Sequence, residues 1–316
     1  MRVYGVSLLV LLSVGGCRAE SSAPDDAEEG NAAWSSETDV DWKTADLAAR
    51  LSALAYENRE DIAAKLRDIE PGASFAFFEN TRTDTQAIAV EGPRFITVAF
   101  RGTEKKSADV QSDVQTVMAK SVFGGVHGGF LVALGSVWMD DGLGLVSSGT
   151  SRPGEGIESY LLAHPDRRIL FTGHSLGGAM ATIASVLARY QQCVAVGLPF
   201  RDPHDFESCA YHQVGRRAIR LDVAPAYTFG APRPGDPQFG EIAAGPVGEP
   251  RRVIRFVEGD DPVPRLPYLG GFAHPMRDHD EHSTEVLLSD RTIVPAISAH
   301  AIAHYIEGIE GIEKQR

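Results

Sequence analysis

The twelve residues Ile169-Leu170-Phe171-Thr172-Gly173-His174-Ser175-Leu176-Gly177-Gly178-Ala179-Met180 permit few folded forms. A fully apolar run breaks into Gly-x-Ser-x-Gly and then into small, helix-compatible residues. This pattern predicts a buried parallel strand, a sharp turn and a helix packed closely on a sheet. A serine at such a turn has a strained backbone, and Gly173 and Gly177 remove the side chains that would collide as the chain doubles back. Ser175 is therefore a candidate nucleophile. A chance pentapeptide is a fair alternative in a chain with 32 glycines, but the flanks argue against it. Ile169 to Phe171 suit a strand, and Ala179, Ala181, Ala184 and Ala188 suit a closely packed helix.

The rest of the chain supplies alternating elements. Leu47, Leu51, Leu54 and Ala55, then Ile62 and Leu66, recur at helical spacing between Asp41 and Leu66, which predicts two amphipathic helices. Strand-like runs follow at Ser74 to Phe78, Thr85 to Val90 and Arg94 to Phe100, split by turn signals at Asn80-Thr81 and Glu91-Gly92-Pro93. Helical stretches are expected over Phe130 to Val146 and Gly154 to Ala163. The Ile169 strand and its helix to Tyr190 come next, then a loop carrying Cys193 and Cys209. Strands ending at Phe229 and Val257 and a helix from about Ala296 complete the order. Strands alternating with helices imply an α/β fold whose mainly parallel sheet has helices on both faces.

A serine hydroxyl needs a base, and the base needs an orienting carboxylate. In an α/β sheet of this kind the partners follow the serine in the order acid, then histidine, at the carboxyl ends of strands. After Val253 to Val257 comes Glu258-Gly259-Asp260-Asp261-Pro262, where spacing alone does not separate Asp260 from Asp261, and both also suit a plain turn before proline. For the base, His300 and His304 lie on one helical face. His300, at the helix start, is the better placed to point back over the sheet edge.

Several ordered blocks resemble the class 3 lipases. Thr97-Val98-Ala99-Phe100-Arg101-Gly102-Thr103 is similar to the family's oxyanion block, Asp109 and Asp113 to its two following acids, and Val126-His127-Gly128-Gly129-Phe130 to its Val-His-x-Gly-Phe block. Gly173 to Ala179 matches the family's elbow, and Tyr227 to Asp236 resembles its Phe-Gly-x-Pro-Arg-x-Gly-Asp block. The resemblance runs from about Trp42 to Gly308 and implies an α/β-hydrolase fold. It aligns Asp260-Asp261-Pro262-Val263-Pro264 with the family's Asp-x-Val-Pro, which selects Asp261 as the acid. The closing His-x-x-x-x-Tyr matches His300 to Tyr305 and supports His300. It also implies an oxyanion hole from Thr103 and the backbone N–H of Leu176. Arg101, Asp113 and His127 are read as structural.

The likeness departs from the family at Glu104 to Gly125, where a lid is expected. Val110 replaces the usual tryptophan and the front of the segment is polar. Val114, Val117, Met118, Val122 and Phe123 remain as apolar residues able to cover the site. Stretches at Ser147 to Pro153 and Cys193 to Arg220 enlarge the body.

At the amino end, Arg2 precedes an apolar stretch from Val6 to Val14 that is too short to span a bilayer as a mature helix and suits a secretory signal. Val14-Gly15-Gly16-Cys17 resembles a bacterial lipobox, which would make Cys17 an acylated anchor; an ordinary cleaved signal is the alternative. Residues 18–41 carry eight acidic residues and one basic, a composition that reads as a disordered tether, and the folded domain is expected over 42–316. The net charge of −13, with no concentrated basic face, argues against nucleic acid as a partner. In an exported protein Cys193 and Cys209 could be bridged, or both could be free thiols. His274, His279 and His282 with Asp278 and Asp280 come nearest to a metal set but read as a solvated loop.

The expectation is thus a serine hydrolase acting on carboxylic esters of lipids, with no cofactor and no metal. It would be exported and anchored at Cys17, with its oligomeric state open. A phospholipase A, a short-chain carboxylesterase and a non-catalytic surface lipoprotein on the same fold are the alternatives.

Overall fold

Two neighbouring strands explain the layering. In β2 (Thr85–Glu91), Ala87 and Ala89 enter one buried cluster while Ile88 and Val90 enter another, and in β3 (Ile96–Phe100) Ile96, Val98 and Phe100 oppose Ala99. Side chains alternate across a strand, so a strand apolar on both sides needs cover on both faces. The computed structural model describes residues 40–102, 117–140, 147–148, 154–195, 212–214, 217–268, 270–289 and 296–315.

One face is covered by α1 (Trp42–Leu54) and α2 (Arg59–Ile69), whose Leu51, Leu54, Ile62 and Leu66 meet Phe77, Ile88 and Val90. Asp41 caps α1 by accepting from the Thr44 N–H at 3.1 Å, one of the four amide donors that a helix start leaves over. The other face carries α3 (Gly128–Trp138) and α5 (Leu176–Ala195), with α4 (Ile157–Leu162) beside them.

Among the described residues the main sheet has nine strands. Chain order gives β1 (Ser74–Asn80), β2, β3, β6 (Ser147–Ser148), β7 (Arg168–His174), β10 (Asp222–Val223), β11 (Ala226–Phe229), β12 (Val253–Val257) and β13 (Glu285–Leu287). The spatial path is β13-β12-β11-β7-β3-β2-β1-β6, and β10 pairs with β7. From β3 to β13 every pairing is parallel, whereas β1, β2, β3 and β6 pair antiparallel. Two hairpins stand apart, β4 (Met118–Ser121) with β5 (Gly124–His127) and β8 (His212–Val214) with β9 (Arg217–Ile219). After α6 (Pro237–Ala244) and the late strands, α7 (Ile302–Glu313) packs on α1, where Arg50 meets Glu310 at 2.6 Å.

Several expectations need correction. The helix expected from Phe130 to Val146 ends at Trp138: Met139 is extended, and the Asp140 carboxylate accepts from the Gly156 N–H and the Ser159 hydroxyl, both at 2.8 Å. The next helix begins at Ile157 rather than Gly154, which has φ +74°. Helix α5 runs past Tyr190 to Ala195, so Cys193 stands on a helix, while Cys209 lies outside the described residues and the pairing is left open. The final helix starts at Ile302, preceded by a 3₁₀ turn at Ile297–His300. Phe123 is not a lid residue but is buried in the core near Tyr190, because the β4–β5 hairpin folds it inward. Of the other residues in the lid expectation, Val117 and Val122 are exposed and Met118 is half-buried in β4, while Val110 and Val114 fall in 103–116, which like Cys17 lies outside the described residues.

Candidate active site

Strand β7 ends at His174, and Ser175 takes φ +58°, the left-handed region that a side chain enters only under constraint. Its N–H donates to the Phe229 carbonyl at 2.9 Å, which ties the turn to β11. The two glycines of the elbow are sterically obligatory. A Cβ on Gly177 would lie 2.1 Å from the Phe100 carbonyl oxygen, and one on Gly173 would lie 2.3 Å from the Gly177 carbonyl carbon. Leu176 opens α5, so its N–H belongs to the first turn, whose donors have no intrahelical acceptor.

The structure brings Ser175, His300 and Asp261 together. His300 Nε2 is 2.8 Å from Ser175 Oγ, and its Nδ1 is 2.7 Å from Asp261 Oδ2. Asp261 follows β12 and has a fully buried side chain, while that of His300 is 12% exposed. The carboxylate is further held by the Val263 N–H, which donates to Oδ1 at 2.8 Å, and by the Tyr305 hydroxyl, which donates to Oδ2. Burial first, then the neighbouring Asp261 charge, pushes the Tyr305 hydroxyl well above its ordinary pKa, so it remains a donor. An acceptor-only carboxylate receiving three donors fixes His300 as Nδ1–H, leaving the Nε2 lone pair toward Ser175. His304, the other candidate base, is half exposed and lies 3.6 Å from Glu307, away from this chain of bonds.

Thr103 lies outside the described residues, but its neighbour Gly102 ends the β3 segment against Ser175: a Cβ there would come within 3.1 Å of Ser175 Cβ. Arg101 turns away from the site and donates to the Asp84 carbonyl at 2.7 Å, a structural placement. Asp113 lies outside the described residues. His127 caps α3, accepting from the Phe130 N–H at 3.4 Å, and stacks on the Phe130 ring at 3.9 Å. Burial lowers its pKa to about 4, so it is neutral.

The histidine-rich loop departs from its solvated reading at His274, which is buried and donates through Nε2 to the Pro264 carbonyl. His279 and His282 are exposed and meet Glu241 and Glu285. Burial therefore splits the group that spacing alone made look like one cluster.

Two site residues escaped the sequence reading. Tyr305 was visible only as the last letter of a motif, and His174 only as a variable position of the elbow. Nothing in local spacing reveals that Tyr305 reaches Asp261 or that His174 reaches His300, because both contacts are made across the fold.

The family model described as Lipase (class 3) matches residues 97–270, more than half of the chain. Among curated proteins, the "Secreted mono- and diacylglycerol lipase 1" of Fusarium solani is 30% identical over 151 residues, covering 48% of this chain and 32% of that protein. The "Triacylglycerol lipase OBL1" of Ricinus communis is 26% identical over 272 residues, covering 71% and 46%. The chain thus spans between about a third and about half of the length of these relatives. Among solved structures, the triacylglyceride lipase of Rhizomucor miehei superposes with a TM-score of 0.54 at 20% identity, covering 81% of this chain and 91% of that one. The Lip2 lipase of Yarrowia lipolytica gives 0.52 at 18%, covering 82% of each. These superpositions establish the α/β fold.

Proposed function

The chain belongs to the class 3 lipase family, and from that premise we propose that it hydrolyses carboxylic esters of lipids through an acyl-enzyme on Ser175. The carrying observation is the unbroken relay from Ser175 Oγ through His300 to Asp261, at 2.8 and 2.7 Å. In this reading His300 Nε2 takes the Ser175 proton as Oγ adds to the ester carbonyl, and Asp261 stabilises the imidazolium that forms. The Leu176 N–H at the helix start and Thr103, next to the residue packed against Ser175, would receive the developing oxyanion. Each such donor contributes about 3 kcal/mol to lowering the barrier. The tetrahedral adduct collapses as His300 returns the proton to the leaving alcohol. Water, deprotonated by the same nitrogen, then releases the carboxylic acid. No step requires a cofactor.

The amino end supports an exported protein with residues 1–17 as signal, Cys17 as acylated anchor and 18–41 as tether to the domain 42–316. The Fusarium solani relative carries the word "secreted" in its name, which agrees with export.

The test is hydrolysis of p-nitrophenyl esters of graded chain length by the purified protein beside Ser175→Ala. Ser175-dependent turnover that rises toward long chains is expected. Equal, negligible rates for both proteins would sink the enzyme reading and favour a binding scaffold, and a preference for the shortest esters would replace the lipase by a carboxylesterase.

A further inference from the structure

A second line of hydrogen bonds meets the relay from the turn that follows α1. His174 Nε2 lies 2.6 Å from the backbone carbonyl oxygen of His300, and His174 Nδ1 lies 2.9 Å from the Tyr56 hydroxyl. The carbonyl can only accept, so Nε2 carries a proton. Burial, and then the facing His300, lower the His174 pKa to about 3, against the opposing hydrogen bond to the His300 carbonyl. The ring is therefore neutral at working pH and Nδ1 is a lone pair. Tyr56 must then be the donor. Every proton along Tyr56 O–H to His174 Nδ1, and His174 Nε2–H to His300 O, is thus assigned by chemistry.

We propose that Tyr56 and His174 are positioning residues for the base, locking the backbone of His300 to the residue that directly precedes the nucleophile. The inference rests on the reading of Ser175 and His300 given above. His300 is the last residue of the 3₁₀ turn Ile297–His300, before Ala301 turns extended and α7 begins, and a carbonyl at the end of such a turn has no partner within it. His174 supplies the donor there. The distance between base and nucleophile is consequently set by a link of two adjacent residues, His174 and Ser175, rather than by the whole intervening chain. A base misplaced by an ångström loses much of its rate.

Tyr56 fixes the middle of this link. It follows α1, and the turn that carries it is pinned by the Gln86 side chain, which donates to the carbonyls of Ala55 at 2.9 Å and Glu57 at 2.8 Å. Space for the hydroxyl is built into β3's end, since a Cβ on Gly102 would fall 2.2 Å from Tyr56 Oη. The O–H also has an electrostatic consequence. His174 faces His300 with ring centroids 4.5 Å apart, and a charged His174 would repel the imidazolium that His300 becomes during reaction. Donation into Nδ1 opposes that charge. The groups facing this pair from the packed elements are Asp261, Ser175 and the edge-on ring of Tyr305. Tyr56 and His300 both lie outside residues 97–270.

The experiment compares wild type, Tyr56→Phe, His174→Phe and His174→Gln in kcat, KM, their pH profiles and thermal midpoint, with Ser175→Ala as blank. Loss of one well-aligned buried hydrogen bond gives an expected fall in kcat of about tenfold for Tyr56→Phe and about thirtyfold or more for His174→Phe, with KM changed less than about twofold. His174→Gln keeps a donor near the Nε2 position and should recover most of the loss, which a role in stability alone does not predict. Changes below about twofold in kcat in folded variants, or Gln no better than Phe, would overturn the proposal. Absence of Ser175-dependent turnover in wild type would instead overturn the hydrolase reading. In that event the histidine NMR of the same samples still decides the geometry: wild type should show His174 as the neutral Nε2–H form down to about pH 4, and an Nδ1–H form would refute it.

Discussion

Asp261→Asn tests the relay in a way that the geometry makes quantitative. The replacement is isosteric, but an amide has one accepting oxygen and one donating nitrogen where the carboxylate has two acceptors. If the oxygen keeps the Val263 N–H, 2.8 Å away, the nitrogen faces His300 Nδ1 at the position of an oxygen now 2.7 Å from it. That nitrogen can only donate, so His300 must accept on Nδ1 and carry its proton on Nε2, which then points at Ser175 Oγ and cannot take its proton. The opposite amide orientation sets two donors against each other in a buried site and costs about 1–3 kcal/mol. The protein is therefore driven into the inactive tautomer. A wrong tautomer in a relay of this type lowers kcat by about 10⁴, or about 5.4 kcal/mol of barrier. The assay is kcat and KM on a p-nitrophenyl ester with the thermal midpoint measured alongside. Asp260→Asn serves as comparison, since the bonds of the relay run to its neighbour, and its kcat should stay within about threefold of wild type. A folded Asp261→Asn protein retaining more than a tenth of the activity, or an Asp260→Asn more damaging than it, would refute the argument.

Three further outcomes follow from the same structure. His300→Ala should abolish turnover while His304→Ala, at a half-exposed position, changes kcat less than about twofold; a reversal of that order in steady-state rates contradicts the assignment. Cys17→Ser should move the protein from the membrane fraction to the soluble fraction, and unchanged fractionation would remove the anchor. His127 and His174 have folded-state pKa values lowered to about 4 and about 3, and His274 is likewise lowered, all chiefly by burial. Because the unfolded chain takes up these protons first, stability is complete above about pH 6.5 and falls as pH drops toward 4, by up to about 1.4 kcal/mol per pH unit for each histidine. Urea midpoints at pH 7, 6 and 5 measure this; a flat series would be inconsistent with neutral buried rings.

What the sequence made legible was local. The elbow needs only residues 169–180, because the strand, the positive φ at Ser175 and the glycine clearances are all short-range consequences of chain geometry. The pair Asp260 and Asp261 could not be separated by turn chemistry, since both suit a turn before proline. Burial separates them in space, with the Asp261 side chain enclosed under Tyr305 and His300. Phe123 and His274 were misread for the converse reason. Phe123 reads as a cover for the site and His274 as part of a solvated loop, and each is instead buried by a hairpin or loop folded onto the body. Apolar residues continue to Val146 and so prolong the helical pattern over Phe130, whereas the helix ends at Trp138, Met139 is extended and Asp140 bonds Gly156.

The placement of the site follows from where the sheet changes character. Ser175 follows β7, Asp261 follows β12 and Gly102 follows β3, so the proposed nucleophile, the proposed acid and the strand end next to Thr103 all lie at carboxyl ends of the parallel strands, where α/β sheets hold their ligands. The antiparallel strands contribute differently. Gln86 on β2 secures the turn after α1, and that turn presents Tyr56 to His174. The helices on the two faces therefore contribute separately: α5, on one face, begins directly after Ser175, while the turn after α1, on the other, carries the Tyr56 that bonds His174 and through it the His300 carbonyl. On the positioning proposal, a substitution at Tyr56, more than two hundred residues before His300 in sequence, would reach the base through the two hydrogen bonds of His174.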